Sequence, residues 1–226
     1  MKIDLRDVKC CWINLDKDED NAKKMVEQFE EIGIEDHHRL SARVISPPED
    51  TPKSIYHYRG CAQSHIDILD NEENGMPLLI LEDDAMITED FDPVIEVPDN
   101  TDAVYLGISH GDNNYFAVDV GGGFARIGKV FATHAILYIT DSYRKAISAV
   151  AKEFVYERNT PFDLGCALLQ TQNFVVTPHK PYFYQADERD SANKWEYLTK
   201  TPLRIFNDGP TDMKTGAPPD PLGEYA

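Results

Sequence analysis

Two runs of three consecutive acids occur in the chain, Asp18-Glu19-Asp20 and Glu82-Asp83-Asp84. With 40 Asp and Glu among 226 residues, chance yields roughly one such run, so position has to separate them. The second follows Leu78-Leu79-Ile80-Leu81, a short apolar run that reads as a central strand buried on both faces. It therefore sits at the carboxyl end of that strand, where open α/β sheets place their ligand crevice. Carboxylates gathered there are costly to desolvate and repel one another unless a cation holds them together. Hard oxygen ligands suit Mg2+ or Mn2+, which would bridge the protein to a diphosphate. Strand alternation puts Glu82 and Asp84 on one side and Asp83 on the other. Asp84 is the first choice for a direct ligand, Glu82 joins it, and Asp83 is placed to serve a ribose or a metal-bound water. The alternative reading of the same triplet is a solvated acidic loop.

The surrounding pattern supplies elements that could position such a site. Residues 8–15 (VKCCWINL) read as a buried strand. A helix follows over 21–32, with Ala22, Met25, Val26, Phe29 and Ile32 on one face and Gly33 as its stop. Strand followed at once by amphipathic helix opens a βαβ unit. Three prolines in 47–52 make a loop, and 60–73 reads as a helix. Further strands are expected over 103–108, 116–120, 130–139 and 173–176. Asp141 could cap a helix running to Phe154, and a short helix follows Asp163. The alternation predicts an α/β fold, a Rossmann-like, mostly parallel sheet flanked by helices. Residues 1–206 read as one domain, and 207–226, with four prolines, as a flexible or surface-draped tail.

Composition narrows the class of partner. The chain holds 22 Lys and Arg against 40 Asp and Glu, a formal charge of −18. Such a field repels phosphate backbones and anionic membranes, so nucleic acid is disfavoured as a partner. No apolar run reaches the roughly 20 residues of a membrane span, and the amino terminus has no signal-type apolar core. Four cysteines, Cys10, Cys11, Cys61 and Cys166, form no CxxC pair. They predict a reducing, cytoplasmic setting, a host cytoplasm included if the chain is viral.

The block Gly60-Cys61-Ala62-Gln63-Ser64-His65, then a helix, then Leu78-Leu79-Ile80-Leu81-Glu82-Asp83-Asp84 resembles glycosyltransferase family 25, whose pattern is GCxxSH followed by LEDD. Ile13-Asn14-Leu15-Asp16, Arg39-Leu40-Ser41-Ala42, Thr160-Pro161-Phe162-Asp163 and Pro181-Tyr182-Phe183-Tyr184-Gln185 resemble further segments of that family, over about residues 8–191. The family usually has an arginine soon after INLD, where this chain has Lys23 and Lys24. The resemblance implies a GT-A fold, a nucleotide-sugar donor (a UDP-hexose), a divalent cation and inversion at the anomeric carbon. It also implies a saccharide or hydroxylated side chain as acceptor.

An inverting transfer needs a cation to neutralise the leaving diphosphate and a carboxylate to take the acceptor proton. Asp163, after Pro161 at a helix start, is the candidate base, with Asp187 in reserve; an ordinary N-cap is the alternative role for Asp163. His179 could supply a late imidazole ligand to the cation, by analogy with some enzymes of the implied fold. Asn14 and Asp16 end the first strand and are positioned to meet the base or ribose of the donor. Ser64 and His65 could contact the donor or brace the metal loop, although a histidine on the inner face of a helix is more often a hydrogen-bonded core residue. Gln185 and Ser191 could line the site from the C-terminal side. Gly121-Gly122-Gly123 matches no phosphate-loop pattern and reads as a tight turn, and His37-His38 as a solvated pair. Two other functions use the same residues: a nucleotidyltransferase acting on a nucleoside triphosphate, and a non-catalytic carbohydrate-binding or structural protein of this fold.

Overall fold

The computed structural model describes residues 1–45, 53–109 and 115–186, with side chains from 58 onward in the middle stretch. The proline-rich 47–52 segment, Asp187, Ser191 and the 207–226 tail lie outside the described residues.

The chain order is β1 (Lys2–Asp4), β2 (Lys9–Asn14), α1 (Glu19–Ile32), β3 (His37–Ser41), α2 (Lys53–Asn71), β4 (Leu78–Glu82), β5 (Ala85–Ile87), β6 (Val94–Glu96) and β7 (Ala103–Ser109). It continues with β8 (Phe116–Gly121), β9 (Phe124–Gly128), β10 (Phe131–Tyr138), α3 (Asp141–Lys152), α4 (Phe162–Gln172), β11 (Val175–Pro178) and β12 (Phe183–Gln185). An eight-stranded sheet runs β3-β2-β4-β10-β7-β11-β9-β8. Two small two-stranded ribbons, β1-β6 and β12-β5, flank it.

The sheet is mixed. Strands β3, β2, β4, β7, β11 and β8 point one way, and β10 and β9 run against them. The expected parallel majority holds in direction, but β10 sits antiparallel between β4 and β7, so no parallel pairing crosses the middle. Apolar side chains on both faces hold the layers. One core joins Cys11, Ile80, Tyr105, Ile136 and Tyr138 of the sheet to α2, α3 and α4. The other joins Cys10, Trp12, Leu79, Leu81, Val104 and Leu137 to Met25 and Phe29 of α1. Adjacent Cys10 and Cys11 thus serve opposite faces, and all four cysteines are free thiols. Among the described residues, no helix is long and apolar enough to cross a membrane.

Several boundaries differ from the sequence expectation for physical reasons. Thr140, not Asp141, caps α3: its hydroxyl accepts from the Tyr143 N–H, and Asp141 is the first helical residue. After Lys152 the helix widens into a π turn over Glu153–Glu157. The last main-sheet strand pairs from Val175, two residues later than expected. His37 is not a solvated side chain, because its ring stacks on Phe29 at 4.5 Å. Gly121, Gly122 and Gly123 form the β8–β9 turn, with φ of 84°, 64° and 83° that L side chains rarely adopt.

Helix α2 carries part of the site, and a buried arginine closes its far end. Arg144 of α3 is 1% exposed and donates to the carbonyls of Glu72 at 3.2 Å and Glu73 at 2.9 Å. Arg144→Met keeps the buried stem and strands those carbonyls. We expect a loss of about 2 kcal/mol, read as a fall of roughly 4–8 °C in a thermal melt.

Candidate active site

Strands β2 and β4 end side by side at Asn14 and Glu82, pairing Ile13 with Glu82 across the ladder. The chain then turns through Asp83 and Asp84 into β5, so strand alternation stops at Glu82 and the three carboxylates aim at three different neighbours. A cleft of about 550 Å3 is lined by all three acids together with Asn14, Lys17, Asn21, Arg43, Cys61, Ser64 and Gln185. A second hollow of about 680 Å3 shares Asp83 and Asp84 and continues past Tyr184. All three residues of the triplet therefore line a concavity.

Glu82 turns toward α2. Its Oε1 accepts from Thr133 Oγ1 at 2.7 Å and His65 Nε2 at 3.1 Å, and the Cys61 thiol lies 4.0 Å away. Burial pushes this carboxyl up, but the hydrogen bonds from His65 and Thr133 and the imidazole charge outweigh it, holding the group down at about 2. His65 is fully buried, as expected of a core imidazole, and its ring packs on Phe162 at 5.0 Å. Ligand atoms of Cys61, His65 and Glu82 lie within 4.8 Å of one another. A metal-bound imidazole normally passes its other N–H to an acceptor, and the buried Nδ1 of His65 has none among the described residues. With Thr133 also on the same oxygen, the cluster is a hydrogen-bond network that orients Glu82.

Asp83 turns toward β2. Asn14 Nδ2 donates to it at 2.7 Å and also to the Asp18 carbonyl at 3.1 Å. Burial raises the Asp83 carboxyl despite hydrogen bonds from Asn14 and Asn21. Arg39 fixes Asn14 from behind, donating Nε to Asn14 Oδ1 at 2.9 Å and Nη2 to Asp16 at 2.7 Å. Asp16 also accepts from Ser41 at 2.8 Å, and those two bonds hold its carboxyl low. Asp16 is thus engaged in bracing the end of β2 and is not among the residues lining either cleft.

Asp84 is 9% exposed and accepts from Gln185 Nε2 at 3.0 Å. Gln185 arrives on β12, which pairs with β5 immediately after the triplet. Gln28 of α1 pins the same segment, donating to Ala85 O at 3.1 Å and accepting from the Ile87 N–H at 2.7 Å.

Ser64 accepts from the Arg43 N–H at 2.9 Å and donates to Gly60 O at 2.9 Å, so it ties α2 to the cleft wall. Gly60 explains itself sterically: a Cβ there would lie 2.4 Å from Arg43 O, so only glycine lets the helix approach.

Asp163 lies in the first turn of α4, whose cap position is held by Pro161. It is not among the residues lining the cleft, but its charge reaches Cys61, which is. Burial, reinforced by the Glu82 charge and opposed by the Leu164 N–H, pushes its carboxyl up to about 6. Its Oδ1 is buried and has no hydrogen-bond partner among the described residues.

His179 is not brought to the triplet. It follows β11, three strand positions from β4, roughly 14 Å at ordinary strand spacing, and its Nε2 lies 3.2 Å from Asp119. Sequence reasoning missed Thr133, Asn21 and Gln28. Asn21 could have been found as a polar residue at the start of the helix beside the triplet; Thr133 carries no local signal, because a strand irregularity delivers it.

Fold and site together define an α/β protein with a carboxylate-lined cleft at the carboxyl edge of an open sheet. No family model matches the chain, and no curated protein matches it, so the likeness to glycosyltransferase family 25 rests on its motifs. Among solved structures, the chain is similar to a CTP:phosphocholine cytidylyltransferase from Streptococcus pneumoniae, at 11% identity and a TM-score of 0.43, covering 84% of this chain and 98% of that one. It is also similar to a glycosyltransferase involved in glycosylation of the major capsid of PBCV-1, at 14% identity and a TM-score of 0.34, covering 69% and 77%.

Proposed function

We propose that the chain is a metal-dependent, inverting glycosyltransferase that moves a hexose from a nucleotide-diphosphate sugar, a UDP-hexose, to a saccharide or hydroxylated acceptor. The observation that supports this reading is the gathering of Glu82, Asp83 and Asp84 on the wall of one cleft at the end of β4. The donor set fits Mg2+ or Mn2+: hard carboxylate oxygens, one group held ionised and another nearly buried. Asp84 and Glu82 would hold the ion, which when bound neutralises charge on the departing diphosphate. Asp83, held by the Asn14 amide at 2.7 Å, would serve the ribose side of the cleft. Asp163, whose charge is felt at Cys61 on the cleft wall, would take the proton from the acceptor hydroxyl as that oxygen attacks the anomeric carbon and the diphosphate departs. With a carboxyl near 6 it is mostly ionised at neutral pH yet more basic than an ordinary aspartate.

The test is a donor panel. The protein is incubated with Mn2+, nucleotide sugars and simple saccharide acceptors, and released nucleoside diphosphate is measured. One nucleotide sugar is expected to turn over and chelation of the metal to stop it. Release of pyrophosphate from a nucleoside triphosphate would instead establish the nucleotidyl-transfer reading. Glycan binding with no turnover of any donor would establish a non-catalytic protein.

A further inference from the structure

Strand β10 is irregular where it passes the site. Its pairing with β7 shifts register on both sides of Ala135, and Ala132 has a φ of 83°, a left-handed conformation rare for a residue with a Cβ. Backbone strain of this kind persists only where the surrounding structure enforces it, and it concentrates at functional sites.

The consequence is a change of face. Regular alternation puts Ala135 and Leu137 in the core beside α1, and Ile136 and Tyr138 in the core beside α2. Continued backward, it would send His134 to the α2 face and Thr133 to the α1 face. Glu82 shares the α2 face with Leu78 and Ile80. Yet Thr133 is the residue bonded to Glu82, at 2.7 Å. His134 lies on the other side, where its Nε2 would be only 2.1 Å from a Cβ placed on Gly107 and where it meets the Phe183 carbonyl. A one-residue slip in a strand exchanges its two faces, and here it gives the Glu82 carboxylate a hydroxyl donor in place of a second imidazole.

We propose that the β10 bulge selects Thr133 as the positioning residue of Glu82, fixing one carboxylate oxygen so that the other is presented to a divalent cation in the cleft. This inference rests on the metal-dependent reading above. Partners that orient a ligating carboxylate typically change metal affinity 10–100-fold when removed. Thr133→Val keeps the shape and removes the donor; Thr133→Ser keeps the donor.

The experiment measures Mn2+ binding in the presence of UDP, by the electron paramagnetic resonance signal of free Mn2+, with a thermal melt for each protein. Thr133→Val is expected to weaken Mn2+ binding about 10-fold or more while staying folded, and Thr133→Ser to stay close to wild type. If Thr133→Val does not fold, Thr133→Ala makes the same comparison. Unchanged Mn2+ affinity in the folded valine or alanine variant overturns the inference alone. No Mn2+ binding by the wild-type protein overturns the metal-dependent reading, and the inference with it.

Discussion

Asp163→Asn is expected to lower kcat/KM for sugar transfer by about 10^2–10^4-fold, the range for loss of a positioned general base, and to make the protein more stable at neutral pH. Both effects come from one cause. Burial and the Glu82 charge raise the Asp163 carboxyl to about 6, well above an ordinary aspartate. The fold therefore favours the protonated form. That contribution is fully present below about pH 4 and is lost as pH rises through about 6. Above that the folded chain carries an ionised, partly buried carboxylate at a cost on the order of 2 kcal/mol. Asparagine removes the charge, so the melting temperature should rise by several degrees at pH 7.5 and change little at pH 4. In the wild type, kcat/KM should fall below an apparent pKa near 6 as the base is protonated, and the asparagine variant should lose that acid limb. A variant that melts lower at pH 7.5 and keeps its activity would identify Asp163 as a structural helix-start residue.

The second large effect is expected at Asp84. Asp84→Asn preserves volume and the contact with Gln185, but removes the charge a divalent ion requires. Turnover of the nucleotide sugar should fall by about 10^3-fold, since charge stabilisation by a bound cation contributes several kcal/mol. More Mn2+ should be needed for half-maximal rate. Asp16→Asn is the matched control. That residue is also an aspartate and is as close in sequence to a strand end, but it is engaged with Arg39 and Ser41 outside the cleft, so a change of less than about 10-fold is expected. Equal losses at the two positions would mean that bulk negative charge, and not a coordinating oxygen, matters here.

These contrasts also mark what the sequence made legible. The apolar run ending in Glu82 identified the strand, its position in the sheet and the cleft at its carboxyl end, because a fully buried strand has a local signature. Asn14 and Gln185 line the same cleft for related reasons: each lies at the end of a strand that terminates beside the triplet. The site residues that escaped are those set by non-local packing. Thr133 reaches Glu82 through a bulge that alternation cannot foresee, and Gln28 pins the chain after the triplet from the middle of a helix. His179 failed in the opposite sense: strand order, invisible in the sequence, separates its edge position from β4. Short strands such as β5 and β12 left no periodic trace because three residues are too few to alternate, yet their pairing is what brings Gln185 to Asp84.

The three carboxylates draw their partners from widely separated stretches of chain. Glu82 meets Thr133 across 51 residues, Asp83 meets Asn14 across 69, and Asp84 meets Gln185 across 101. A nascent polypeptide halted before β12 contains both members of the first two pairs but not of the third, so the full set of partners exists only once synthesis has passed that ribbon. Any ligand held by this junction then binds the finished conformer and not its precursors. By mass action it should lift the unfolding midpoint in proportion to the logarithm of its concentration, making a melt titrated with Mn2+ and UDP a gauge of how completely the molecule has matured.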